Sequence, residues 1–571
     1  MIYEIMKFEI LYRIKKMETY IFFCGLFLFS LIAIDFFSQG VELGSLKKNS
    51  PILIAETMSI LSGLLMLITS IVMGTAIIRE FEVRMDSLMF INPISKKEYF
   101  FGRFLGAFAI LVFIFSGMVF GMAVSEFMPW QNESELLSFH FYRYFQPFLI
   151  IVLPALFFGG AIFFVTAALS RKLIIVYTQG MCFFILFLLA KSVDNVGIGA
   201  ILDPFSLISL GSVKQLWPTN ELVTLSLPLE GTLLYNRLFW MSVGCVSLLV
   251  GYKQFRFTAV KERTKNKVEF KEYTHHTLTS NVPKVSFHFG LKSTVSQLFY
   301  QSFFYLKSMV KDTSFWIILL LSSVIIFVNG ISLDISAGVL PKSSMVIEDL
   351  IENSAFLFFI VFIYYSADFI WKERDIRFHL ISDSLPTHNF INLCSKFLGL
   401  IYCYLCLCVT LILSGIMFQA LNGYYVFELD VYFKSFFIWL LPSLALFTMI
   451  AFCILVFVNN KFIGQFTVLL FLILIVTLPF LGIKNGLLVF GAGTLFSSTE
   501  VSVESNPLWY ACYWFFFSVW LFISTSLCVV RDADTQILNR YLLVKRTFNK
   551  TYRNSIVISM FLFICIGIYL A

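Results

Sequence analysis

The residue types that most often carry chemistry are present, but their spacing does not form a catalytic or metal-binding pattern. Cys403, Cys406 and Cys408 lie close together in an apolar run that contains no histidine or acidic residue. His275 and His276 form an adjacent pair in a polar stretch, without further ligands at the spacing of a metal site. Free cysteine packs as a small hydrophobic residue, so we interpret the three cysteines as packing residues. No metal site is predicted.

Sequence motifs for nucleotide binding and hydrolysis do not occur. The chain contains no GxxxxGKS or GxxxxGKT phosphate loop, no HExxH zinc motif and no GxSxG nucleophile elbow. We therefore predict that the chain is not an enzyme, has no catalytic residue and binds no cofactor of its own.

Charged residues and a proline recur in the same order in two segments. They are Arg79, Glu80, Glu82, Arg84 and Pro93 in the first segment, and Lys372, Glu373, Asp375, Arg377 and Pro386 in the second. The segments align without a gap at an offset of 293 residues (372 − 79), and each leads to a basic-Phe-Leu-Gly sequence. Alternating charges that end at a proline favour a short helix that presents charge to a cytoplasmic partner. The alternative is an ordinary loop that follows the positive-inside rule.

Composition indicates the elements that position these segments. Hydrophobic residues make up 59% of the 571 residues, charged residues make up 13%, and the mean hydropathy is +0.85. Apolar runs of about 20 residues match a hydrocarbon core of ~30 Å, in which the backbone must form helices. The runs predicted to span are 18–37, 52–78, 104–127, 146–169, 173–192, 236–252, 314–331, 351–371, 397–418, 435–458, 462–482, 509–530 and 555–571.

Lysine and arginine predict the orientation of these spans. With the amino terminus inside, 33 of the 42 basic residues lie on the cytoplasmic side, in agreement with the positive-inside rule. The first apolar run has no small-residue cleavage site, so we predict no cleaved signal peptide. The prediction is a multi-pass protein of the bacterial cytoplasmic (inner) membrane with a cytoplasmic amino terminus.

The order of spans repeats along the chain as six spans, a polar linker and six spans. Both sets cross the membrane in the same direction, which makes the repeat parallel. The predicted fold is an all-α polytopic membrane protein with two parallel six-helix repeats and a thirteenth span. The predicted units are a first permease half at 1–252, a cytoplasmic linker at 253–290, a second half at 291–530, and a basic loop with the last span at 531–571.

The chain resembles the type-2 ABC exporter permeases. The resemblance rests on an amphipathic entry stretch in each half, the charged segment after the second span, the proline, and the basic-Phe-Leu-Gly start of the third span. The outer sequence Asp203-Pro204-Phe205-Ser206-Leu207 and the later Asn236-Arg237-Leu238 add to it. The chain is similar to bacterial fused permeases whose longer relatives carry a zinc aminopeptidase domain. The second half departs from the pattern, because it has Ser505-Asn506-Pro507 in place of Asp-Pro-Phe.

The resemblance implies a function and a set of partners. It implies a membrane subunit that exports a lipid- or peptide-like substrate when two copies of an ATP-binding-cassette ATPase dimerise beneath it, with ATP and Mg bound in those subunits. Residues 79–103 and 372–396 would be the two ATPase-coupling elements. Asp203, Pro204 and Phe205 would belong to an outer gate, in a loop at 193–235 that dips into the membrane.

Two other classes of function stay open. An ion-coupled secondary carrier would place carboxylates at the membrane midplane, and few lie there in this sequence. A membrane scaffold would use the last span, 555–571, to anchor an external peptidase or another outer partner. Contact with membrane lipid is expected in every case, and binding of nucleic acid is not.

Overall fold

The computed structural model describes most of the chain. The described residues are 1–38, 47–82, 85, 93–193, 195–218, 222, 225–255, 290–329, 341–375, 378–385, 387–458, 460–479, 482–492, 507–529, 548 and 550–570. Within these residues the regular secondary structure is helical, and no strand is present.

The helices before residue 256 form an N-terminal set. They are α1 (Ile2–Ile14), α2 (Met17–Ser38), α3 (Pro51–Leu64), α4 (Met66–Glu82), α5 (Lys96–Ser125), α6 (Tyr142–Pro147), α7 (Leu153–Ser170), α8 (Leu173–Lys191), α9 (Val196–Leu202), α10 (Leu207–Leu216) and α11 (Gly231–Gln254). A 3₁₀ turn at Glu133–Glu135 and a π-helical segment at Phe148–Val152 complete the set.

The helices after residue 289 form a C-terminal set. They are α12 (Leu291–Val310), α13 (Thr313–Asn329), α14 (Ser343–Asp375), α15 (His379–Ser382), α16 (Asn389–Leu421), α17 (Leu429–Phe433), α18 (Leu441–Phe457), α19 (Lys461–Thr477), α20 (Pro507–Cys528) and α21 (Lys550–Leu570). A π-helical segment at Lys434–Leu440 joins α17 to α18.

Many of these helices are suited to a bilayer. Among the residues described, nine are long and apolar enough to cross a membrane, and the number rises to eleven if each of two bent pairs forms one span. The bends are 50° between α3 and α4 and 76° between α12 and α13. The apolar run expected at 462–482 begins in α19, which has 17 residues. The chain is thus an all-α, multi-pass membrane protein, and the last span expected at 555–571 falls in α21, which packs against α20.

The long helices α5 and α16 begin at matching positions of the two segments, but their N-terminal caps differ. Lys96 and Asn389, their first residues, are 293 residues apart (389 − 96). Before α5, the Ser95 hydroxyl accepts the Glu98 N–H and the Glu98 carboxylate accepts the Ser95 N–H, which is a complete capping box. Before α16, the N-cap residue makes no side-chain cap bond.

Proline explains a second local feature that occurs in both sets. The two π-helical segments are each followed by Leu-Pro, at Leu153-Pro154 and Leu441-Pro442. Proline lacks an N–H and its ring clashes with the preceding turn, so the helix widens there instead of continuing with regular bonds.

Glycine allows the first helix of each set to approach the third span closely. A Cβ on Gly106 would lie 2.7 Å from the Cβ of Glu9, and one on Gly399 would lie 2.9 Å from the Cβ of Tyr305. A larger residue at either position would therefore push α1 away from α5, or α12 away from α16. Small residues bring helix backbones together in this way in membranes, where van der Waals packing drives association.

The two sets contact each other through several helix pairs. Helix α2 packs against α19, and α8 packs against both α13 and α14. The Phe22 and Phe466 rings meet edge to face at 4.9 Å in the first pair. The Tyr177 hydroxyl of α8 reaches across to Gln465 of α19 at 3.1 Å.

Candidate functional site

A buried network of ion pairs joins α1, α4 and α5; we name it the first ionic cluster. It consists of Glu9, Arg13, Arg79, Glu80 and Arg103. The fully buried Glu9 carboxylate accepts from Arg13 Nε at 2.5 Å and from Arg79 at 3.2 Å. Arg103, which is 1% exposed, bonds to both Glu9 and Glu80. One guanidinium therefore fixes α1 and the end of α4 to the start of α5.

Neighbouring side chains complete the network. Tyr99 donates its hydroxyl proton to Glu80, and Arg13 donates to the Thr75 hydroxyl at 3.3 Å. The Arg79 guanidinium also lies over the Tyr12 ring, 4.0 Å from its centroid. Charged groups are costly away from water unless they are paired and hydrogen-bonded. These contacts meet that requirement.

The pKa of Glu9 shows how the positive charges of this cluster act on its carboxylate. Burial alone would raise the pKa of the Glu9 carboxyl, but the guanidinium groups of Arg13, Arg103 and Arg79 outweigh burial and lower it to about 2. Glu9 is therefore ionised at physiological pH and does not act there as a proton donor.

A second ionic cluster joins α12, α14 and α16. It consists of Tyr305, Lys372, Glu373, Asn392 and Lys396. Glu373 accepts from the Tyr305 hydroxyl at 2.6 Å and from Lys396 Nζ at 3.2 Å. The Tyr305 hydroxyl also lies 3.4 Å from Asn392 Oδ1, and Lys372 donates to the Ser308 hydroxyl at 2.8 Å.

The two clusters share one ion pair and differ in the rest. Glu80–Arg103 and Glu373–Lys396 occupy the same sequence positions at the offset of 293 (373 − 80). Tyr305 contacts α16 where Glu9 contacts α5, so a neutral hydroxyl replaces a carboxylate. The planar guanidinium of Arg103 bonds to two carboxylates, whereas the compact ammonium group of Lys396 bonds to one, in agreement with the shapes of the two cations.

Polar contacts connect the two clusters across the boundary between the helix sets. The Thr19 hydroxyl donates to the Arg13 carbonyl at 2.8 Å, and Asn460 Nδ2 donates to Glu18 at 2.6 Å. The next residue, Lys461, bonds to Asp375 at 2.7 Å and to Asp368 at 3.4 Å. Because these contacts are continuous, both clusters lie at the same end of the bundle.

The charged residues predicted from the two segments have different placements. Glu80 is 7% exposed, and Glu373 is bonded within the chain, so neither carboxylate presents a free charge outward. Glu82 ends α4, and its side chain is not among those described. Pro93 is exposed, two residues before Ser95. Arg84, Arg377 and Pro386 lie outside the described residues.

The predicted outer-gate residues form a compact turn between α9 and α10. Asp203 Oδ1 accepts the Phe205 N–H and Oδ2 accepts the Ile208 N–H, both at 2.8 Å. Pro204 is buried beside them, and the Ser59 hydroxyl of α3 donates to the Phe205 carbonyl. Burial raises the pKa of Asp203 above its usual value, against the lowering effect of these N–H groups.

Asn236 ties this turn to α11. Its side-chain amide donates to the carbonyls of Ala200 at 2.7 Å and Asp203 at 2.8 Å, and its oxygen accepts from Ser206 at 2.8 Å. Arg237 adds a bond to Asn236 and another to the Ile151 carbonyl. The Asp-Pro-Phe-Ser and Asn-Arg sequences, about thirty residues apart, thus meet in one polar cluster; we name it the Asp203 cluster. It lies toward the opposite end of the α3–α4 pair from the first ionic cluster.

An apolar cavity of about 220 Å³ lies between the two helix sets. Helices α2, α3, α4 and α8 line one side, and α14 and α19 line the other. Phe29, Phe37 and Phe359 are among its aromatic residues, and Ser70 and Thr477 are among its few polar ones. Such a cavity suits an apolar molecule, because it offers large apolar surface and few hydrogen-bond partners.

Sequence analysis did not select Glu9, Arg13 or Tyr99 as site residues. The available signal was the four-residue spacing of Glu9 and Arg13, which puts both on one face of α1. Nothing in the sequence marked Tyr99 as the partner of Glu80. Among the described residues, no group of three or more histidine, cysteine or acidic side chains is placed to hold a metal ion.

Comparisons with known proteins give no match. No family model, no curated protein and no solved structure matches this chain.

Proposed function

We propose that the chain is the membrane-spanning permease subunit of an ATP-binding-cassette exporter. The observation that carries the proposal is the recurrence of one buried ion pair, Glu80–Arg103 in one helix set and Glu373–Lys396 in the other. Each pair holds the end of one span to the start of the next, and both lie at one end of the bundle. A dimeric partner has two equal contact sites, so it requires two rigid segments at the same end of the bundle, one in each helix set.

The helix sets are, in this proposal, two parallel six-helix repeats with α21 as a thirteenth span. Three features support duplication: the equal start of α5 and α16, the π-helical segments before Leu-Pro, and a tyrosine bonded to the end of the third span. Tyr144 donates to Glu126, and Tyr432 donates to Gln419 at 3.0 Å. Glu126 and Gln419 are again 293 residues apart (419 − 126).

The segments between the paired helices would be the ATPase-coupling elements, at 79–103 and 372–396. The buried charges of each element fix its conformation, and its exposed apolar side chains supply a docking surface. Met85 is 47% exposed, and Phe378, Leu380 and Ile381 are 45%, 66% and 60% exposed. Apolar side chains that cluster on a surface are typical of a contact with another protein.

The transport path would run through the apolar cavity toward the Asp203 cluster. A cavity lined from both helix sets changes shape when the sets move relative to each other, so ATP-driven dimerisation of the partner would be transmitted to it. The lining favours a lipid- or peptide-like substrate. The Asp203 cluster, with Asp203, Pro204 and Phe205, would then gate the outer end.

Purification of the full chain from its native membrane tests the proposal. We expect a stoichiometric ATP-binding-cassette ATPase to co-purify, with ATP turnover that requires it. Leu380→Glu should weaken this association at least tenfold, because a charge would be desolvated at the contact. Leu421→Glu is the matched control: Leu421 is 68% exposed and ends α16, about 50 Å from its start.

Other outcomes would redirect the assignment. Transport by the purified chain in vesicles that is driven by an ion gradient, without ATP, would indicate a secondary carrier. A stoichiometric external peptidase without any ATPase would indicate a scaffold that uses α21. Equal loss of the ATPase from both leucine variants would show that the coupling elements do not determine docking.

A further inference from the structure

A small polar pocket of about 70 Å³ opens beside the second ionic cluster, between α14, α15, α16, α18 and α20. Its polar lining consists of two acidic, two basic and four other polar side chains: Glu373, Asp383, Arg374, Lys396, Trp371, His379, Asn389 and Asn392. Leu455 and Val529 form part of its apolar wall. A water needs only about 10–15 Å³ of such space, so the pocket is large enough for a small polar group.

Two buried nitrogen atoms in this pocket lack a hydrogen-bond partner among the described residues, and one of them, Trp371 Nε1, is always a donor. The other is His379 Nδ1. Lys396, 5% exposed, carries three N–H groups, and Glu373 accepts one of them. Glu373 itself already accepts from Tyr305 as well. A ligand that supplies several acceptor oxygens would satisfy these groups.

The corresponding position of the N-terminal set is occupied by two aromatic rings. There the Tyr99 and Phe255 rings stack at 6.1 Å and 8° and fill the space. Asn392 stands at the position of Tyr99 in the repeat register, and its shorter side chain leaves the pocket open. A capping box satisfies the N-terminal N–H groups of α5. The first turn of α16 has no side-chain cap and lines the pocket. The partial positive charge of that turn favours an anion.

We propose that this pocket binds a phosphate group. Lys396 and Arg374 are balanced by Glu373 and Asp383 in the lining, so a phosphate group with a single negative charge fits better than a multiply charged anion. Trp371 Nε1 and Lys396 Nζ would donate to its oxygens. The group can come from a phospholipid headgroup or from free phosphate. The site goes beyond the proposed export function, since binding requires neither ATP nor an ATPase.

Binding to the purified full chain tests the proposal and distinguishes the two sources. The probes are phosphatidylglycerol, diacylglycerol with the same acyl chains, and inorganic phosphate, measured by retention of lipid in native mass spectrometry and by calorimetric titration. We expect phosphatidylglycerol to be retained and diacylglycerol to be lost. Displacement of the lipid by inorganic phosphate at millimolar concentration would support free phosphate as the source, and no displacement would support the headgroup.

Two tryptophan variants make the test specific. Trp371→Phe keeps the ring and removes the N–H, so the affinity for the phosphate probe should fall about tenfold, the usual effect of one lost bond to a charged acceptor. Trp240→Phe is the control, because Trp240 Nε1 is also buried without a partner among the described residues but lies outside the pocket. Equal binding by wild type and Trp371→Phe, or equal retention of diacylglycerol, would overturn the proposal.

Discussion

The Tyr177 hydroxyl donates a hydrogen bond to Gln465 Oε1 at 3.1 Å, and each residue is the fifth of its helix. Helices α8 and α19 correspond to the fifth predicted span of each set, so the bond joins positions that are equivalent by their place in the helix, at an offset of 288 residues (465 − 177). A residue that contacts its own equivalent lies on the axis of a two-fold arrangement. This bond therefore marks where the pseudo-two-fold axis of the proposed repeats would pass.

The strength of this contact can be measured by a double-mutant cycle of Tyr177→Phe and Gln465→Leu. We expect a coupling free energy of about 1 kcal/mol, since both groups are buried and each single change leaves the other without its partner. The measurement is the free energy of unfolding of the purified chain in mild detergent. Strictly additive single changes would show that the two side chains do not interact.

Arg103→Gln should strongly destabilise the chain. It leaves the carboxylates of Glu9 and Glu80 without their shared cation, and breaking a buried pair usually costs about 3–5 kcal/mol. Lys396→Gln should cost less, because it removes one ion pair whereas Arg103→Gln removes two. Thermal unfolding compares the two variants, and Glu80→Gln added to Arg103→Gln should recover part of the loss. Equal costs for the two single variants would contradict the difference between the clusters.

Stability should depend on pH through Glu9. Its folded-state pKa of about 2 lies below the ordinary 4.5, so the stabilisation is present above pH 4.5 and is lost as the pH falls toward 2. The shift corresponds to about 3 kcal/mol. Glu9→Gln should remove this part of the pH dependence of unfolding, whereas Glu4→Gln, at an exposed position, should retain it. An unchanged profile in Glu9→Gln would refute the assignment.

Asn236→Leu should disrupt the turn that carries Asp203. Three backbone carbonyls, of Ala200, Ile201 and Asp203, would lose their donor, at about 1–3 kcal/mol for each of the two buried bonds, to Ala200 and Asp203. Asn422→Leu is a matched control, since its half-buried amide donates to the Phe418 carbonyl alone. Limited proteolysis between α9 and α10 should accelerate in Asn236→Leu and not in Asn422→Leu. Equal rates would remove Asn236 from the supports of this turn.

The orientation of the chain is tested by cysteine labelling in intact cells. In a variant without its native cysteines, Lys265→Cys should resist a membrane-impermeant thiol reagent and Asn220→Cys should react. The reason is the distribution of 33 basic residues on the inner side and nine on the outer side. The reverse labelling pattern would place the amino terminus outside the cytoplasm.

Sequence alone predicted the class of fold and many helix positions, because a bilayer imposes length and hydropathy on every span. The helix register of the repeated charges was also visible, and the ion pairs of Glu80 and Glu373 follow that register. The partners of these carboxylates were less visible. At the offset of 293, Tyr305 corresponds to Tyr12, but in the structure it takes the place of Glu9, because α12 is shifted by three residues relative to α1. Such a shift between packed helices cannot be read from the sequence of either helix.

Sequence also could not show whether the charged side chains face outward or are buried. An alternating run such as Arg79-Glu80 reads as an exposed helix, yet tertiary packing of α1 covers Glu80 and Arg103. The Asp203 cluster has the same cause: Asn236 is an ordinary polar residue near a span end until the chain folds back and brings three backbone carbonyls to it.

The arginine fork of the first ionic cluster also constrains how this chain can evolve. Arg103 bonds to two buried carboxylates, those of Glu9 and Glu80, so its replacement breaks two ion pairs at once. In the second ionic cluster Tyr305 is neutral and Lys396 bonds to one carboxylate, that of Glu373, so a replacement there breaks one ion pair. We therefore expect descendants of this sequence to accumulate variation at the second ionic cluster while the first ionic cluster stays fixed.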